Sequence, residues 1–139
     1  SENSRTVSKH LTKKLAELMV VEIPKLSTEL PKDLRFYSSV FEEGLDFEYH
    51  KLVGERLSKS IAQLIYVAIF QEHSRTRIVV FCGEEAQSKG VKAGELVRDI
   101  AKTLGGSGGG DSRFAQGGVD GVPKSIPDLG AILLNRLSG

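Results

Sequence analysis

The residue order predicts an α/β (α+β) fold, a small sheet covered by helices, on three observations. Two successive runs, Leu64 to Phe70 and Arg77 to Cys82, lack helical period and read as strands buried on both faces. Between Ala93 and Leu104 the apolar positions Ala93, Leu96, Val97, Ile100, Ala101 and Leu104 recur at helical spacing, with Glu95, Arg98, Asp99 and Lys102 opposite. Helical and strand signals also alternate along the chain, which lays helices on a sheet.

The elements follow in order. From Ser4 to about Glu22, Val7, Leu11, Leu15, Leu18 and Val21, with Met19, repeat every three or four residues and predict an amphipathic helix. Its stripe is covered either by the rest of the chain or by a second copy, as the end of a dimerisation arm. Pro24 and Pro31 make residues 22–33 a connector, so the chain divides into a helical segment with connector, 1–33, and a globular part, 34–139. Arg35 to Glu42 is rich in aromatic and β-branched residues and reads as a strand. Asp46 is an N-cap for a helix with Tyr49, Leu52, Val53, Leu57 and Ile61 on one face. The two buried strands form a hairpin across Glu72 to Thr76. After the helix at 93–104, Gly105 stands where a left-handed cap ends it. A glycine-rich loop and a short helix, Pro127 to Leu137, complete the order.

Composition removes several function classes. The 139 residues hold one Cys, Cys82, which allows no internal disulfide and points to a reducing, cytoplasmic setting. The Leu64 to Phe70 run is far shorter than the roughly 20 residues of a membrane span, so a soluble protein is expected. With 19 Lys+Arg against 18 Asp+Glu, the formal charge of +1 argues against a partner held by bulk electrostatics.

The glycines concentrate between Gly105 and Gly118. A phosphate-binding P-loop needs Lys and Ser/Thr after its last glycine, whereas Asp111-Ser112 follows Gly110, and no frame supplies the dinucleotide spacing of glycines. A flexible linker explains the composition, but Arg113, Phe114 and Gln116 are residues a linker does not need. Glycines let a backbone touch a flat or anionic surface and offer open N–H donors. Arg113 suits phosphate or base stacking, Phe114 either stacks or sits in the core, and Gln116 suits a base edge or ribose hydroxyl. The basic residues nearest the cluster are Lys89, Lys92, Lys102 and Lys124.

Lys92-Ala93-Gly94-Glu95-Leu96-Val97, then Gly105-Gly106-Ser107-Gly108-Gly109-Gly110, Arg113 and Ala115-Gln116-Gly117-Gly118, resembles the closing motif of the C-terminal domain of alanyl-tRNA synthetases. The same DHH-associated nucleic-acid-binding module ends phosphoesterases of the DHH family. The resemblance covers about Arg35 to Leu137. It implies a domain that binds the outer corner of tRNA, where D and T loops meet, with a preceding helical part that contributes to dimerisation. The RNA-binding residues it implies are Gly105, Gly106, Gly108, Gly109, Gly110, Arg113, Phe114, Gln116, Gly117 and Gly118, flanked by Lys92, Lys102 and Lys124. The implied partners are tRNA, a second copy and the other domains of a parent alanine-tRNA ligase. That parent would use ATP, magnesium and, for editing, zinc.

No catalytic constellation is expected within this chain. His10, His50 and His73 lack ligand spacing, and Glu42-Glu43 and Glu84-Glu85 read as solvated pairs. The chain is therefore expected to be inert as an enzyme and to hold no cofactor or metal of its own. The other readings are the substrate-binding domain of a DHH phosphoesterase and a purely structural dimerisation domain.

Overall fold

The computed structural model describes residues 2–138, with side chains from Ser8 onward. A six-stranded sheet runs β1 (Thr28–Leu30), β2 (Leu34–Val40), β3 (Leu64–Glu72), β4 (Arg75–Cys82), β6 (Phe114–Asp120), β5 (Ser107–Gly110) across its width. All neighbours are antiparallel except β2 and β3, which α2 (Phe47–Ser60) joins by the crossover that parallel strands require. The Asp46 carboxylate accepts the backbone N–H of Tyr49 at 3.0 Å and starts that helix, as its sequence predicts.

Strand alternation divides the core. Ile65, Val67 and Ile69 of β3, with Ile78, Val80 and Cys82 of β4, point toward α4 (Ala93–Leu104) and α5 (Leu129–Leu137). Leu64, Tyr66, Ala68 and Phe70, with Val79 and Phe81, point toward α1 (Glu2–Leu26) and α2. This is why both strands read as apolar without a period of two. Helix α4 ends at Gly105, with φ +86, and the Gly106 N–H reaches back to the Ala101 carbonyl at 2.7 Å. Arg136 of α5 fixes that helix to α4 through Glu95 at 2.8 Å and Asp99 at 2.5 Å. A five-residue helix, α3 (Glu84–Ser88), precedes it.

Two expectations are corrected, and one open choice is narrowed. Helix α1 runs through Pro24 to Leu26 instead of stopping near Glu22, because a proline in the last turn removes few helical bonds and Ser27 Oγ caps the Pro24 carbonyl at 2.8 Å. Its packing face is also rotated: Ala16 and Ile23 are buried against α2 and Met19 and Val20 are half-buried, while Leu11, Leu15, Leu18 and Val21 are exposed. The side chain of Val7 lies outside the described residues. Finally, the glycine-rich segment is not a loop. It forms a β5–β6 hairpin that completes the sheet, a result glycine's weak strand propensity hides until β6 pairs with β4.

Candidate nucleic-acid interface

The β5–β6 hairpin has two unlike faces. On one, Ala115 is buried and the bare Cα positions of Gly108 and Gly117 lie against α4. A Cβ on Gly108 would stand 2.6 Å from Val97 Cγ1, and one on Gly117 would stand 2.9 Å from the same atom. Gly94 within α4 is likewise pressed on the hairpin, 2.5 Å from the Gly110 carbonyl oxygen at its Cβ position. These absent side chains are therefore used inside the fold, to bring strand and helix backbones together.

On the other face, the antiparallel register sets Gly118 opposite both Arg77 and Ser107, and Gln116 opposite Gly109. Gly118 is roofed by Arg75 and Arg77; its Cβ position is 3.5 Å from Arg75 Nη2 and 3.8 Å from Arg77 Cδ. Arg75, Arg77, Ser107, Gln116, Gly117 and Gly118 line a cleft of about 250 Å³. Larger hollows lie between α5 and β2, about 460 Å³, and behind the Phe41 to Asp46 loop, about 640 Å³; neither is lined by Lys or Arg. Of these three hollows the smaller cleft alone presents arginines, and both are paired, Arg75 with Asp120 at 3.1 Å and Arg77 with Glu72 at 2.6 Å.

The candidate residues separate in space. Gln116, Gly117 and Gly118 meet in the cleft, and exposed Arg113 stands at the hairpin turn. The Asp111 carboxylate organises that turn by accepting the N–H of Arg113 at 2.9 Å and of Phe114 at 2.8 Å, and those donors hold its pKa below the usual carboxylate value. Lys92 occupies the N-cap of α4 beside the turn, since the Ala93 N–H meets the Ser112 carbonyl. Lys102 is exposed in the last turn of α4 and Lys124 in the connector to α5, and neither lines the cleft. Lys89 is drawn to the Lys32 carbonyl and lies 3.7 Å from Glu85. Phe114 is half-buried, its ring centroid 4.6 Å from that of Phe81 in the α2-side core. Gly105 and Gly106 serve the α4 cap, and Gly109 has the most room of the strand glycines, its Cβ position meeting just Arg98 Nε at 3.8 Å.

Sequence reasoning missed Arg75 and Arg77. Their i, i+2 spacing carries the signal, because alternate residues of one strand share a face. Beginning the second hairpin strand at Arg77 hid it. Among the described residues, no three His, Cys, Asp or Glu side chains converge as metal ligands. The Cys82 thiol is buried and its pKa is pushed up to about 12, away from nucleophilic use. No helix among the described residues is long and apolar enough to cross a membrane.

A family model, the DHHA1 domain, matches residues 36–138. The alanine–tRNA ligase of Nitrosopumilus maritimus is 41% identical over 73 residues, 52% of this chain and 8% of that protein. The alanine–tRNA ligase of Acidothermus cellulolyticus is 35% identical over 96 residues, 68% of this chain and 11% of that protein. The chain thus spans about a tenth of the length of these relatives. Among solved structures, the C-Ala domain from Aquifex aeolicus alanyl-tRNA synthetase is similar at a TM-score of 0.66 and 26% identity, covering 81% of this chain and 98% of that one.

Proposed function

The chain belongs to the DHHA1 domain family, and from that premise we propose that it is the C-terminal tRNA-holding part of an alanyl-tRNA synthetase. In this reading the outer corner of tRNA rests on the open face of the β5–β6 hairpin, and a second copy packs on α1. The likeness to the C-Ala domain supports the parentage. The cleft carries the RNA reading: two arginines and a glutamine stand over a nearly bare glycine backbone in a chain whose overall charge is +1. The tRNA corner offers a flat terminal base pair and curved backbone, which suit contact by shape, stacking and ribose hydrogen bonds. ATP, magnesium and the zinc of editing belong, on this reading, to other parts of a cytoplasmic enzyme, and the isolated chain is inert.

Folded tRNA is expected to bind the isolated chain with little regard for the anticodon, and Arg113→Ala is expected to weaken it about three- to tenfold by fluorescence anisotropy at low salt. Two or three phosphate contacts give a log–log salt slope of roughly −1.4 to −2.7. A short single-stranded oligonucleotide competing as well as tRNA would instead favour the DHH phosphoesterase reading. No binding to any folded tRNA would sink the proposal.

For the second copy, α1 offers Leu11, Leu18 and Val21 at 60%, 61% and 59% exposure, with Leu15 beside them. Substituting Leu11→Glu and Leu18→Glu together is expected to leave the chain monomeric in sedimentation while its melting temperature as a monomer stays unchanged, because neither side chain packs on the body. An unchanged dimer would remove this face from the interface, and a monomeric unsubstituted chain would remove the dimer itself.

A further inference from the structure

Arg77 is held on three sides. Its Nη1 donates to Glu72 Oε1 at 2.6 Å, its Nη2 donates to Gln116 Oε1 at 2.5 Å, and its guanidinium carbon lies 5.1 Å from the centre of the Phe47 ring. Arg77 also lines the cleft, together with Gln116. Gly118 lies across from it in the register, and a Cβ there would press on the Thr76 carbonyl oxygen at 2.8 Å, so this position of the cleft floor stays bare. The arginine fixes the glutamine in turn. A guanidinium carries donors alone, so the Gln116 atom that meets it is the amide oxygen. The amide nitrogen is thereby turned away, with two N–H donors and no acceptor among the described residues.

We propose that Glu72, Arg77 and Gln116 form a relay that makes this cleft a reader of hydrogen-bond acceptors. Gln116 offers two fixed donors to acceptor oxygens of folded RNA: a ribose hydroxyl, a base carbonyl or a phosphate. Glu72 is a positioning residue, acting through Arg77 and not on the RNA. An unanchored glutamine flips its amide and serves donors and acceptors alike; the relay removes that freedom before binding and so makes the preference part of the fold. The inference rests on the tRNA reading above and adds which atoms of the ligand are recognised.

The test measures a folded tRNA transcript against the full chain. Gln116→Glu keeps an oxygen toward Arg77, so the melting temperature should hold or rise, but it replaces the donors with a carboxylate oxygen. Gln116→Met removes the donors without adding charge. Both are expected to weaken binding about tenfold, and the Gln116→Glu loss should persist at salt that screens general repulsion. Glu72→Gln is expected to weaken binding two- to fivefold in the unsubstituted chain and to have no further effect in Gln116→Met, the coupling a relay requires. Binding of Gln116→Glu and Gln116→Met within twofold of the unsubstituted chain overturns the relay alone. Additive losses from Glu72→Gln and Gln116→Met overturn the role of Glu72. If the unsubstituted chain binds no folded tRNA, the tRNA reading fails, and the relay with it.

Discussion

Gly108→Ala is expected to destabilise the protein by about 2–3 kcal/mol, while Gly109→Ala, one residue along the same strand, is expected to change stability by less than about 0.5 kcal/mol. The two differ in what a methyl group meets. At Gly108 it would stand 2.6 Å from both Val97 Cγ1 and the Gly117 Cα, and 2.9 Å from the Gln116 carbonyl oxygen. Two of those three are backbone atoms in a paired strand, which cannot turn aside as a side chain can. Relief requires the edge strand to lift from α4 or part from β6. At Gly109 the nearest atom is Arg98 Nε at 3.8 Å, an ordinary contact with a flexible side chain. For a chain of this size the first substitution corresponds to a fall in melting temperature of roughly 8–12 °C. Equal melting temperatures for the two variants would show that the hairpin does not pack on α4 as described. The pair also separates two uses of glycine, because Gly109→Ala alters the hairpin surface without loosening the fold, so a binding loss there reports contact with the ligand.

The second large effect concerns pH. His50 is 1% exposed in α2, its Nδ1 is 2.7 Å from the Tyr66 hydroxyl, and its ring stacks on Phe70 at 4.9 Å. Its Nε2 has no partner among the described residues. Burial lowers the pKa from 6.5 to about 4, and the charge of Asp46 opposes that shift without cancelling it. The folded state therefore favours the neutral ring. The unfolded chain takes up a proton first as pH falls, so the stabilisation is complete above about pH 6.5 and is lost progressively down to about pH 4. A shift of this size corresponds to about 3 kcal/mol at most. Urea titrations of the unsubstituted chain and of His50→Phe should show it. The variant loses the partner of a buried hydroxyl and starts roughly 1–3 kcal/mol less stable at pH 7. Its stability should then fall less steeply between pH 6.5 and 4. Parallel profiles would mean that His50 is not buried in its neutral form.

What could be read in advance was what depends on near neighbours in the chain. The stripe of α4, its Gly105 cap and the Asp46 cap of α2 rest on residues within a few positions of each other, where side-chain spacing and backbone donors decide the outcome. Strands β3 and β4 were legible for a similar reason: residues buried on both faces leave an unbroken apolar run. The glycine-rich motif likewise identified the family and several residues of the candidate site before any pairing was known.

Tertiary structure decided what joins distant residues. Ser107 to Gly110 has no side-chain signal for a strand, and it becomes one because β6 offers it a partner while α4 leaves room only for hydrogen at Gly108. The spacing of the α1 leucines left open whether this chain or a second copy covers them, and it is Ala16 and Ile23 that pack against α2 while the leucines face outward. Arg77 and Gln116 are 39 residues apart and meet because β4 and β6 pair in one register. Local spacing tells which side chains share a face. The register between strands, set by the packing of the whole core, tells which faces share a site.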